Sequence, residues 1–202
     1  MRLDFAELGP AEGYRWLTAT VTPRPIAWVS TRSRAGIDNL APFSFFQVVC
    51  DQPPTLMISI SQRDGGGLKD TLVNASETGE LVVQLVSHAQ AGAMNASSAS
   101  LPPGISEFER FGIACVASEL VRPLRVAAAA VAFECRLAEV KPYPAQQPRH
   151  HLLFAEVLLA HVDDAVLADE RHVDAEKLDL IGRMGGSLYA TTRDRFPMRR
   201  PA

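Results

Sequence analysis

Apolar runs of strand length recur along the chain, each bounded by proline, glycine or a polar turn. Pro25 to Thr31 (PIAWVST) mixes aliphatic, aromatic and β-branched residues and ends near Arg34-Ala35-Gly36, the pattern of a strand entering a hairpin. The chain resumes at Asn39 and runs apolar through Phe43-Ser44-Phe45-Phe46 to Val49, where Pro53-Pro54 stops it. Thr55 to Ile60 (TLMISI) and Leu81 to Val86 (LVVQLV) are short strands, and Val131 to Val140 and Leu152 to His161 are longer ones.

Helical patterning is rarer. Leu68 to Thr78 places Leu68, Leu72, Val73 and Ala75 on one side and meets Gly79 as a stop. Ser87 is an N-cap for a helix reaching Met94, and Ser106 to Phe111 predicts a third, short helix. Arg122 to Ala130 reads as a connector. Strands and helices do not alternate as βαβα units do, so a doubly wound parallel sheet is disfavoured. The expected class is mainly β, an antiparallel β-barrel with peripheral helices.

Composition changes this picture little. The 202 residues suit one domain spanning 1–202, with a loose polar tail from about 191. A net charge of −3 and a pI near 6.0 advertise no nucleic-acid partner. The acidic N-terminus lacks a signal-peptide core, and no run approaches the ~20 apolar residues of a membrane span, so no membrane partner is expected. Cys50, Cys115 and Cys135 are odd in number and widely spaced, which excludes a disulfide framework. Each sits in an apolar run and reads as a buried reduced thiol, in keeping with a cytoplasmic protein.

Three constellations are candidates for chemistry. Gly65-Gly66-Gly67-Leu68-Lys69-Asp70-Thr71 runs from glycines into a helix start, where free N–H groups favour an anion and Lys69 and Thr71 add a charge and a hydroxyl. It lacks the contiguous Gly-Lys-Ser/Thr of a P-loop, and Asp70 would repel a triphosphate; a monophosphate fits. A flexible loop before an ordinary helix is the competing reading. In Asn39-Leu40-Ala41-Pro42-Phe43-Ser44-Phe45-Phe46, Pro42 suits an edge strand or a bulge that would turn backbone groups toward a planar ligand; a core strand is the alternative. His151 and His161 would lie about 33 Å apart on one strand, so no metal site is expected. No Gly-x-Ser-x-Gly elbow occurs.

With these segments in view, the ordered set Thr22-Pro23-Arg24-Pro25-Ile26-Ala27-Trp28, Asn39 to Phe46, Lys69-Asp70-Thr71-Leu72, Glu77-Thr78-Gly79-Glu80, Met94-Asn95-Ala96-Ser97-Ser98 and Ile181-Gly182-Arg183-Met184-Gly185-Gly186-Ser187 resembles the flavin reductase-like, FMN-binding split-barrel family, which includes flavoredoxin-like proteins. The match spans nearly the whole chain in order. The resemblance implies a six-stranded Greek-key split barrel, a homodimer, and FMN held non-covalently near the subunit interface. It places Asn39, Leu40, Ala41, Pro42, Phe43 and Ser44 along the isoalloxazine and ribityl, and Lys69, Asp70 and Thr71 around the phosphate. Asn95 and its neighbours close the pocket, and Arg24 or Arg183 adds charge.

The cofactor carries the redox chemistry in such a protein, so no side chain is expected to act as acid or base. Three functions stay open. The first is an NAD(P)H-dependent flavin oxidoreductase serving a partner monooxygenase or other acceptor. The second is an FMN electron carrier, and the third is a non-catalytic flavin-binding protein.

Overall fold

The computed structural model describes residues 1–102 and 104–201. Helix α1 spans Pro10–Thr20. Strands β1 (Ala27–Arg32) and β2 (Asp38–Phe43) form the predicted hairpin around Gly36, whose φ of 84° suits a residue without a Cβ. Strands β3 (Phe46–Asp51) and β4 (Pro54–Ser61) form a second hairpin. Helix α2 (Asp70–Thr78) leads into β5 (Glu80–Leu85). Short helices α3 (Ala91–Ala96) and α4 (Glu107–Phe111) precede the long strands β6 (Val131–Tyr143) and β7 (His150–Val162). A last helical turn, α5 (Ala175–Leu178), is followed by Ile181–Arg183 and Tyr189–Thr191, which form a small sheet with Arg24–Pro25.

The main sheet is antiparallel in the order β2-β1-β5-β6-β7-β4-β3. Its two edges are consecutive in the chain, because β2 runs into β3 through Ser44 and Phe45. A circuit of the sheet therefore returns to one bent segment, residues 38–51, which pairs with β1 through its first half and β4 through its second. Counted so, the sheet is a six-stranded barrel split at Ser44-Phe45, as expected. The Ser59 N–H bonds the Phe45 carbonyl at 2.8 Å and holds the split together.

The interior is filled by alternate residues of every strand, including Val29, Ile58, Ile60, Leu81, Val83, Cys135 and Leu153, and Leu72 and Ala75 of α2 are packed into it. A second core lies outside the barrel wall, where Trp28, Leu40 and Ile26 meet Met94 and Phe108 from α3 and α4. Both faces of β1 are thus covered, which explains its unbroken apolar run. The fully buried Trp28 satisfies its indole N–H on the Ser97 hydroxyl at 2.9 Å.

Several expectations are corrected. The N-terminal helix α1 is absent from the sequence reading. Register between β1 and β2 is unbroken from Ala27↔Phe43 to Arg32↔Asp38, so Pro42 occupies an edge strand without a bulge. Helix α2 begins at Asp70, leaving Leu68 exposed before it. Ser87 precedes a 3-10 turn, His88–Gln90, before α3 begins at Ala91. Cys135 is buried, but Cys50 and Cys115 are exposed. In the segment from 191, expected to be a loose polar tail, Thr192 donates to the Leu180 carbonyl at 3.0 Å and Arg193 grips Asp179 through two bonds of 2.8 and 2.7 Å, while residues 195–201 are exposed without regular structure.

Candidate functional site

A two-lobed cavity follows the end of β2. One lobe, about 390 Å³, is lined by Asn39, Ala41, Pro42, Phe43, residues 61–64, Lys69 to Thr71, residues 97–101 and Glu107. The other, about 540 Å³, is lined by Tyr14, Arg15, Thr18 and Ala19 of α1, by Arg24, Ile26, Pro42, Phe43, Ser44, Met94 and Ser98, and by Arg183 to Gly186 with Tyr189. Pro42, Phe43 and Ser98 belong to both, so the lobes meet there. These volumes are those of small-molecule sites.

The smaller lobe is built around Lys69. This residue ends the loop before α2, and the first N–H groups of that helix, Asp70 and Thr71, have no acceptor within it. Lys69 Nζ sits 5.6 Å from the centroid of the Phe43 ring. Asp70 is engaged elsewhere, 2.5 Å from Arg63 Nη2, and Arg63 also donates to the Leu68 carbonyl at 2.9 Å. Burial and the nearby Arg63 push the Lys69 ammonium below its usual pKa, and Asp64 opposes this. A half-buried cation beside free helix N–H groups is the chemistry that favours an anion. Thr71 is buried at the same lobe, where its hydroxyl accepts from Asn39 Nδ2 at 2.9 Å and keeps its own proton for another acceptor. Asn39 is thereby a support for Thr71 as well as a wall.

The glycine run behaves differently from its expected role. Gly65, Gly66 and Gly67 all have φ near 90°, but they form a turn closed by Arg63 N–H to Gly67 O, outside the lining of the lobe. Their work is to deliver Lys69, not to cradle an anion.

Across the junction, Arg24 is 8% exposed and mostly committed. Its Nη1 donates to the Thr18 and Val21 carbonyls, both at 2.7 Å, its Nη2 to Met184 O at 3.0 Å, and its Nε reaches Ser44 Oγ at 3.5 Å. It ties α1 and the Met184 loop to the barrel split. Burial lowers its pKa, and neighbouring Arg183 adds to that, against a raising contribution from Tyr14. The Arg183 guanidinium donates to the Tyr189 hydroxyl and the Gly186 carbonyl and lies 4.6 Å from the Tyr189 ring centroid.

Ten of the twelve expected site residues line the cavity: Arg24, Asn39, Ala41, Pro42, Phe43, Ser44, Lys69, Asp70, Thr71 and Arg183. Leu40 does not; its side chain is buried in the outer core beside Trp28, and its N–H donates to Glu107 Oε2 at 2.8 Å. Asn95 does not either: it is exposed on α3, and Met94, Ser97 and Ser98 face the cavity instead. The sequence reading also missed α1, whose Tyr14, Arg15, Thr18 and Ala19 form a wall, although Pro10 at the first helical position was a signal. Gly185 completes that wall, since a Cβ there would come within 2.9 Å of Ala19 Cα.

This barrel and cavity define a class, the split-barrel proteins with a small-molecule site at the end of an edge strand. Residues 19–177 match the model of the flavin reductase like domain, and the chain belongs to that family. It is 44% identical over 176 residues, 87% of this chain and 88% of the relative, to an uncharacterized protein of Aquifex aeolicus. Its fold is similar to nitrilotriacetate monooxygenase component B from Bacillus cereus, with a TM-score of 0.93, 31% identity and 98% of each chain covered. It is also similar to 2-nitrobenzoate 2-nitroreductase from Pseudomonas fluorescens, with a TM-score of 0.90, 27% identity, and 100% of this chain and 96% of that one covered.

Proposed function

We propose that this chain holds FMN in the two-lobed cavity and works as an NAD(P)H-dependent flavin oxidoreductase, passing electrons to a partner monooxygenase or another acceptor. The observation that carries the reading is Lys69: a half-buried ammonium facing a cavity beside the first N–H groups of α2, with Asp70 held by Arg63. That arrangement fits the terminal phosphate of FMN. When bound, the flavin supplies hydride acceptance from a nicotinamide and onward delivery of electrons.

The protein's part is binding and orientation. Lys69, the N–H groups of Asp70 and Thr71, and the Thr71 hydroxyl take the phosphate. Asn39, Ala41, Pro42, Phe43 and Ser44 wall the remainder, and Arg24 fixes Ser44 and the Met184 loop in position. Arg183 lends charge to the larger lobe. No side chain is assigned as a catalytic acid or base.

The assembly belonging to this reading is a homodimer. Edge strand β3 supports it, since Val48 and Val49 are 64% and 49% exposed on a strand with one free edge. A reducing cytoplasm suits the two exposed thiols. None of the helices among the described residues is long and apolar enough to cross a membrane.

Two measurements test the proposal. The purified protein should be yellow and release FMN, not FAD, on denaturation, and NADH and NADPH oxidation should proceed with added acceptor. Failure to bind added FMN at micromolar concentration would overturn the cofactor, and FMN binding without turnover would leave a carrier.

A further inference from the structure

Glu107, the first residue of α4, lines the smaller lobe together with Lys69 and Thr71 and is only 6% exposed. Its Oε2 accepts the Leu40 N–H at 2.8 Å, and its own N–H also bonds the carboxyl. A carboxylate has about four acceptor positions, so two backbone donors leave part of it free. Among the described residues Glu107 forms no ion pair; Arg63, across the lobe, is held by Asp70 at 2.5 Å. Asp64 and Lys69 complete the charges of the lobe. Asp38 on the neighbouring β2 is paired with Arg32 at 3.6 Å, and Glu109 and Arg110 on α4 are exposed. His150 lies close enough to Lys69 that the ammonium, after burial, lowers its pKa. Burial pushes the Glu107 carboxyl above its ordinary pKa against the two backbone donors, while Asp70 raises it further and Arg63 lowers it.

Resting on the flavin reading above, we propose that Glu107 is a further phosphate-binding residue, one that shares a single proton with the FMN phosphate and makes FMN binding a proton-uptake step. A carboxylate and a phosphate dianion in one partly desolvated lobe repel, and like charges sharing a site force one of them to hold a proton. Lys69 brings one positive charge against about three negative ones on the two groups. A shared proton removes one of those charges and turns the repulsion into a short charge-assisted hydrogen bond. The proton comes from solvent, and no covalent bond to phosphorus or carbon changes.

The test is calorimetric titration of the purified protein with FMN and with riboflavin at pH 8, in Tris and in HEPES, whose different ionisation enthalpies reveal the proton count. About one proton should be taken up per FMN bound and none per riboflavin. Between pH 7 and pH 8 the FMN dissociation constant should rise by up to about tenfold, the slope of one linked proton. Glu107→Gln keeps an oxygen for the Leu40 N–H and should fold. In that variant the uptake should vanish, the change between pH 7 and pH 8 should shrink to less than about twofold, and FMN should bind at pH 8 at least as tightly as to wild type. FMN binding to wild type without proton uptake overturns the proposal and leaves the flavin reading standing. Uptake that persists in Glu107→Gln also overturns it and assigns the proton to Lys69 or His150. FMN and riboflavin weakened together at both pH values would make Glu107 a prop for Leu40, which overturns it as well. A protein that binds no FMN overturns the flavin reading, and this proposal with it.

Discussion

His161 Nε2 lies 2.6 Å from Glu134 Oε1 across the β6–β7 pair, and the same buried carboxylate accepts the N–H groups of Glu119 at 2.8 Å and Leu120 at 2.6 Å. Glu134 thus pins the turn at residues 119–121 to the barrel wall, with Arg125 3.9 Å away and Glu119 on the far side of the His161 ring at 3.8 Å. Burial pushes the Glu134 carboxyl up, but the two backbone donors and His161 outweigh it and hold the pKa below its ordinary 4.5.

A folded-state pKa below the unfolded value contributes stability above the unfolded pKa, and that contribution is lost as pH falls through the folded one. The clamp should therefore be at full strength at pH 7 and weaken only below about pH 4.5. Glu134→Gln should cost about 2 kcal/mol at pH 7, the scale of hydrogen bonds to a charged group. Urea denaturation at pH 7 and pH 3.5 checks this: the gap between wild type and variant should shrink at the lower pH. A gap independent of pH would mean that the charge is not what matters.

Gly185 is the second test. Its missing Cβ lets the Met184 loop lie against α1, and alanine would place a carbon 2.9 Å from Ala19 Cα and 3.1 Å from its Cβ. The contact is with backbone, so the loop or helix must move. Gly185→Ala should destabilise by roughly 1–3 kcal/mol, as overpacking does. Because that interface forms a wall of the larger lobe, flavin affinity should fall as well. A variant with unchanged stability would show that α1 is free to shift.

The thiols should separate by reactivity. Cys50 and Cys115 are exposed, whereas burial, with Glu134 adding to it, raises the Cys135 pKa to about 12. A thiol reagent at pH 8 should therefore modify Cys115 in the native protein and Cys135 only after denaturation. Rapid modification of all three would contradict the burial of Cys135.

What the sequence disclosed follows from how each segment is buried. Val29, Leu81, Val83 and Leu153 are interior residues of strands that read directly from their apolar runs. Helix α1 was hidden because Thr18 is its one buried residue, which leaves no apolar stripe to detect. Leu40 was misplaced for the opposite reason. Its edge strand is covered on both faces, by the barrel interior and by α4, so residue type could not say which way it points. That Lys69, Asp70 and Thr71 gather at one cavity lobe was legible because a helix start is a local property. The wall supplied by Tyr14, Arg15, Met184 and Tyr189 was not, since it joins segments about 170 residues apart.

The central claim is that Lys69 meets a phosphate, and the most direct test compares FMN with riboflavin, which lacks that group. Dissociation constants for both ligands should be measured on wild type and on Lys69→Ala. Loss of a charge-assisted hydrogen bond is worth roughly 1.5–3 kcal/mol, so FMN should weaken by about ten- to a hundredfold. Riboflavin affinity should barely change. Asp70→Asn should be milder for FMN, because Asp70 pairs with Arg63 and does not face the phosphate as a donor. If Lys69→Ala weakens FMN and riboflavin equally, Lys69 supports the fold through its contact with Phe43, and the phosphate assignment is wrong.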